Sequence, residues 1–167
     1  MGMSSRPSKE DYYLNIAEEV ARRGTCLRRL FGAVIVRDDQ IISTGYVGAP
    51  RGVVNCIDLA ECPRQKANIP PGERYELCRS VHAEMNAIIH ASRQEMLGST
   101  LYLACINPQT GERVGGTRPC KLCTRMIINA GIAKVIVREA DGKYSVYHVD
   151  DWVREDQAVL DPGKSGY

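Results

Sequence analysis

At 167 residues the chain is the size of one ordinary domain, and its 44% apolar and 25% charged residues are those of a globular protein with a core of its own. No apolar run approaches the roughly 20 residues of a membrane span. The polar start "MGMSSRPSKED" fits neither a secretory leader nor, with Arg at position 6, a myristoylation site, so a single cytoplasmic domain over 1–167 is expected.

A formal net charge of +2 argues against a nucleic-acid binder, yet 16 of the 22 basic residues are Arg, whose fork matches phosphate oxygens. In chain order, "SKEDYYLNIAEEVARRG" predicts a first helix: Ser8 is a candidate N-cap, acids fill the first turn, and Gly24 is a stop signal. Tyr13, Ile16, Ala17 and Val20 give it an apolar stripe. "LFGAVIVRDDQIISTGY" predicts two strands around a turn at Asp38-Asp39. Residues 47–79 are irregular and rich in Gly, Pro and Cys, a length that a compact domain tolerates only when something pins it. "HAEMNAIIHASRQEM" predicts one helix, "STLYLACIN" a strand and "NPQTGERVGGTRP" a turn-rich excursion. "CKLCTRMIINAG" predicts a helix ended by Gly131, and "KVIVRE" a short buried strand. "KYSVYHVDDW" alternates as a strand after the Asp141-Gly142 turn, leading to a short helical end. The order predicts an α/β protein, three-layer α/β/α, with a central mixed sheet of about five strands.

Seven cysteines, at 26, 56, 62, 78, 105, 120 and 123, point in a reducing compartment to metal before disulfide. Cys120 and Cys123 stand three apart at a helix start, where the helix dipole favours the thiolates a metal needs. Alone, such a pair is as compatible with redox chemistry. The distant "HAE" tips the balance: at a helix's first turn His82 and Glu84 both reach a site lying over its end, whereas mid-helix they would diverge. His82, Cys120 and Cys123 then make three protein ligands with a fourth position open, the arrangement of a catalytic zinc. Glu84 is the candidate proton acceptor beside it. His-x-Glu followed by Pro-Cys-x-x-Cys is a described signature of zinc-dependent base deaminases.

With these motifs the sequence resembles the cytidine deaminase superfamily, and within it the deoxycytidylate deaminases, from Cys26 to about Val137. "FGAVIVRDDQIISTGYVGAPRG", "CRSVHAEMNAI" and "PCKLCTRMIINAGI" carry the likeness. The resemblance implies that a zinc-activated water attacks C4 of a cytosine ring, with Glu84 moving protons to N3 and to the departing ammonia. Ala83 would hold the ring through its backbone. It implies a free deoxycytidine nucleotide as substrate, dCMP giving dUMP, a homo-oligomer with a hexamer favoured, and dCTP and dTTP as effectors. Val47 stands where many relatives have a sugar-contacting Asn, and it offers neither donor nor acceptor. Arg51, Arg118 and Lys121 are candidate phosphate ligands. Arg93 falls where the family places effector-linked residues, and His90 reads as an interface or core residue.

Cys105 reads as a buried small hydrophobe. Cys26, Cys56, Cys62 and Cys78 remain, and a second, structural zinc on these four would pin the irregular stretch, as some deoxycytidylate deaminases do. Two enzymatic alternatives are a deaminase of dCTP and one acting on a base in RNA or DNA. The second would favour a more basic surface and exposed aromatics. An alternative of another class is a non-catalytic zinc module, in which Cys78 closes a Cys₃His site and Glu84 is idle.

Overall fold

The structure, a computed structural model, describes residues 5–155. Helix α1 (Lys9–Arg22) begins where its cap predicts, the Ser8 hydroxyl accepting from the Asp11 N–H at 3.0 Å. Strands β1 (Leu30–Arg37) and β2 (Gln40–Tyr46) form the expected hairpin, with Asp38 and Asp39 at φ 51° and 61°. That is the left-handed pair a two-residue turn of matching twist requires, and Asp tolerates it. The irregular stretch holds only short pieces: α2 (Cys56–Leu59), α3 (Pro63–Lys66) and a 3₁₀ turn (Tyr75–Leu77). Then follow α4 (Ala83–Ile89), α5 (Arg93–Met96), β3 (Thr100–Ile106), α6 (Lys121–Ala130), β4 (Lys134–Arg138), β5 (Tyr144–His148) and α7 (Val149–Glu155).

One expectation is corrected. The helix predicted through residue 96 breaks after Ile89 into α4 and α5. Ser92 accepts from the Glu95 N–H while the Glu95 carboxylate accepts from the Ser92 N–H. This capping box satisfies a new helix start and so ends the old helix.

The five strands make one mixed sheet in the order β2-β1-β3-β4-β5, in which β3 and β4 alone run parallel. Alternation along the strands builds two cores. Ala33, Ile35, Leu101, Leu103, Val135 and Val137 face α4 and α6, with Ala83, Ala87, Cys123 and Ile127 buried against them. Val34, Val36, Tyr102, Ala104 and Ile136 face α1 through Tyr13, Leu14 and Ala17. Each large side chain so buried contributes about 1.5–3 kcal/mol. These are the expected three layers.

Two glycines set how closely the helices approach. A Cβ on Gly32 would lie 2.2 Å from the Ala17 carbonyl of α1, and one on Gly45 2.3 Å from the Ala87 nitrogen of α4. Polar groups tie the first layer across. Buried Arg138 donates to Glu18 at 3.0 Å, Asp11 at 2.7 Å and Asn15 at 2.7 Å, and Arg113 also donates to Glu18. Among the described residues no helix is long and apolar enough to cross a membrane.

Candidate active site

Two helix N-termini meet at one end of the sheet. His82 is the N-cap of α4 and Cys120 the N-cap of α6, so both side chains project off helix ends, with Cys123 one turn into α6. The antiparallel bridge between Gly48 and Val81 anchors the strand-like approach to His82. It lays the loop after β2 beside the α4 start. His82 Nδ1 lies 3.4 Å from Cys120 Sγ and 3.3 Å from Cys123 Sγ. The three donor atoms all lie within 4.8 Å of one another. Donors around a tetrahedral zinc, at about 2.3 Å for sulfur and 2.0 Å for nitrogen, stand roughly 3.5 Å apart, so these three fit the ion.

The electrostatics of the trio fit it too. The Cys120 thiol is lowered to about 4, chiefly by its hydrogen bond with Cys123 and, against the pull of burial, by His82. The Cys123 thiol is raised by its hydrogen bond with Cys120 and by burial. Two thiolates this close need a cation between them. Burial works against charge on His82, but its hydrogen bonds with Cys120 and Cys78 raise it to about 10. Glu84, 5% exposed, is pushed up by burial, and it shares a hydrogen bond with Cys123.

The site opens into a cavity of about 590 Å³ whose lining includes His82, Ala83, Glu84, Cys120, Val47 and Arg118. Arg51 and Lys121, the other expected phosphate ligands, do not line it. Arg51 lies 3.0 Å from His90 Nε2 instead, and Lys121 is the first residue of α6. The cavity-lining arginines that the sequence reading did not single out are Arg28, Arg29, Arg64 and Arg79, Arg64 coming from α3 and the others from two separate loops. The pair Arg28-Arg29 directly before β1 was a visible signal for two of them. Arg93 donates to the Asn129 carbonyl on the far side of α6, and His90 Nδ1 lies 2.8 Å from the Thr44 carbonyl.

Cys26, Cys56, Cys62 and Cys78 also line the cavity, and burial raises the Cys56 thiol with the other three as charged neighbours. Among the described residues, however, His82, Cys120 and Cys123 are the one set of three or more donors close enough to hold an ion. Cys78 hydrogen bonds with His82 without joining that set. Among the described residues the donors therefore do not form the closed Cys₃His arrangement of a non-catalytic module.

Residues 7–139 match the model of the cytidine and deoxycytidylate deaminase zinc-binding region. A deoxycytidylate deaminase of Mycobacterium phage D29 is 35% identical over 79% of this chain and 95% of its own length. That of Schizosaccharomyces pombe is 36% identical over 78% of the chain, which spans only 37% of that relative. Among solved structures, dCMP deaminase of cyanophage S-TIM5 in complex with dCMP and dUMP aligns with a TM-score of 0.58 and 27% identity, over 81% of this chain and 84% of the other. A cytidine deaminase from Burkholderia pseudomallei, 17% identical with a TM-score of 0.53, shares the fold. The chain thus belongs to the cytidine and deoxycytidylate deaminase family.

Proposed function

We propose that the protein hydrolyses dCMP to dUMP and ammonia, with Glu84 as its proton carrier. The observation that carries this reading is the meeting of His82, Cys120 and Cys123 over two helix ends, with buried Glu84 beside them in an arginine-lined cavity. A zinc ion held by those three residues supplies Lewis acidity that makes a water nucleophilic at neutral pH. Glu84 accepts a proton from that water and delivers it to N3 as the oxygen adds to C4; it then takes the second proton of that oxygen and passes it to the exocyclic amine, which leaves as ammonia while the C4 carbonyl forms. Water is consumed and no electron is transferred. The burial that raises Glu84 suits it to holding a proton between these transfers. Ala83, fully buried at the α4 start, offers its backbone to the ring.

The substrate's 5′-phosphate finds its counter-charge in Arg118 and in the wall formed by Arg28, Arg29 and Arg79. Val47 meets the nucleotide as an apolar surface, so the sugar is recognised elsewhere. The arginine wall, with Glu84 the one carboxylate lining the cavity among the described residues, favours a phosphorylated nucleotide over a nucleoside. Ammonia release from dCMP, dCTP, cytidine and a short oligonucleotide tests the assignment. The expected order puts dCMP first, and faster turnover of cytidine would reject it.

A second zinc on Cys26, Cys56, Cys62 and Cys78 belongs to the same reading, supported by all four lining one cavity and by the influence of the other three on the Cys56 thiol. A homo-oligomer, with a hexamer favoured by the family resemblance, is supported by the two-thirds exposure of Ile89 and by a shallow depression that Ile88, Met96 and Met126 line together with Arg93, Arg125 and Asn129. Response to dCTP and dTTP is read from turnover with and without each nucleotide.

A further inference from the structure

Arg64 is a buried cation without a buried anion. Its residue is 6% exposed, and no carboxylate lies within ion-pair distance of it among the described residues. Burying an unpaired charge costs several kcal/mol unless other groups take its place. Three groups do so here. Its terminal nitrogen donates to the Pro70 carbonyl at 3.0 Å and the Glu73 carbonyl at 2.6 Å, and its guanidinium lies 4.8 Å from the centroid of the Tyr75 ring. Its Nε has no partner.

Tyr75 continues the chain of contacts. Its ring meets His82 edge-on, with centroids 5.4 Å apart and planes at 82°. Tyr75 lines the cavity, and its hydroxyl makes no hydrogen bond with the described residues. A loop anchor needs only the two carbonyl contacts. The flat face of a guanidinium against a tyrosine that itself touches a metal ligand is a further feature.

We propose that Arg64 is a positioning residue that holds Tyr75 against His82, so that Tyr75 covers the solvent side of the metal centre and presents its free hydroxyl to the bound nucleotide. The substrate part of this proposal rests on the dCMP reading; the metal-covering part does not. Hydrogen-bonded partners of a metal-binding His fix its orientation, and their loss changes metal affinity or activity about 10- to 100-fold; a ring packed against the imidazole restrains the same orientation.

The test is a double-mutant cycle read as the rate at which a chelator strips zinc from the loaded protein. Arg64→Lys keeps the charge and loses the planar fork, and Tyr75→Ala removes the ring. Each should speed zinc loss about 10-fold. The double variant should lose zinc no faster than Tyr75→Ala alone, because Arg64 acts through the ring. Effects that multiply in the double variant, or an Arg64→Lys protein that holds zinc as the parent does, would overturn the proposal. Tyr75→Leu replaces Tyr75→Ala if melting shows that the latter does not fold. On dCMP, Tyr75→Phe should raise KM about 2- to 10-fold with kcat unchanged, the worth of one hydrogen bond. An unchanged KM rejects the role of the hydroxyl. Should the parent protein not turn over dCMP at all, the dCMP reading falls while the zinc-loss cycle still judges the pair.

Discussion

Replacing Gly45 by Ala places a methyl group between β2 and α4, the helix whose first turn carries His82 and Glu84. The new Cβ would lie 2.3 Å from the Ala87 nitrogen, 2.4 Å from the Ala83 carbonyl oxygen and 2.9 Å from the Asn86 carbonyl carbon. All three are backbone atoms, so no rotamer change relieves the clash. Ordinary contact begins near 3.4 Å, and α4 must therefore retreat by about 1 Å. Cys120 and Cys123 ride on α6, which does not follow, so His82 and Glu84 shift relative to the sulfurs. A misplacement of about 1 Å costs on the order of 100-fold in rate, and overpacking costs about 1–3 kcal/mol. Gly45→Ala should thus lower kcat/KM for dCMP about 100-fold, with a fall in Tm of about 2–12 °C. Gly32→Ala is the matched control, because its Cβ would meet Ala17 and Ala21 of α1 on the opposite face at 2.2 and 2.4 Å. It should lose comparable stability while each folded molecule keeps its zinc and most of its turnover. A Gly45→Ala protein with parental kcat/KM would refute the reasoning, as would equal losses per folded molecule in the two variants.

Three further outcomes follow. Metal analysis of the active protein should give close to two zinc per chain, and Cys56→Ser should remove one while leaving the ion at His82, Cys120 and Cys123; one zinc in fully active parent protein excludes the second site. Arg79→Ala should raise KM for dCMP far more than KM for cytidine, since only dCMP carries the phosphate; equal changes would place Arg79 outside the anion site. Asp11 is held below its ordinary 3.8 by the hydrogen bond from Arg138 and then by Ser8, so its contribution is present above that value and disappears as pH falls through the lower folded pKa. Asp11→Asn should accordingly flatten the fall in Tm below pH about 4, leaving the share of Asp39, which Lys9 and Tyr13 depress likewise. An unaltered acid limb would contradict this.

Where a local rule decides the structure, the sequence alone was enough. The Ser8 cap, the Asp38-Asp39 turn and the alternating strands each act within a few residues, and the structure contains all three. The metal-binding trio was legible for a related reason. His-x-Glu and Pro-Cys-x-x-Cys each mark a helix start, and a helix start aims side chains at a point beyond its end. The break between α4 and α5 was hidden because the apolar stripe continues through it, while the decisive contact is a two-residue capping exchange between Ser92 and Glu95. The arginine wall was hidden for a third reason. Arg51 and Lys121 lie near the motifs in sequence, but Arg28, Arg29 and Arg79 reach the cavity from loops whose meeting depends on the whole sheet. Tyr75 sits in a stretch without periodicity, and nothing local marks it as a neighbour of His82.

The central claim is that Glu84 moves the protons of a deamination at the site of His82, Cys120 and Cys123. Ammonia release from dCMP by zinc-loaded Glu84→Gln, set against the zinc-loaded parent, tests it most directly. The account predicts retained zinc and turnover lower by about 10²- to 10⁴-fold. Turnover near that of the parent, with zinc in place, would contradict it.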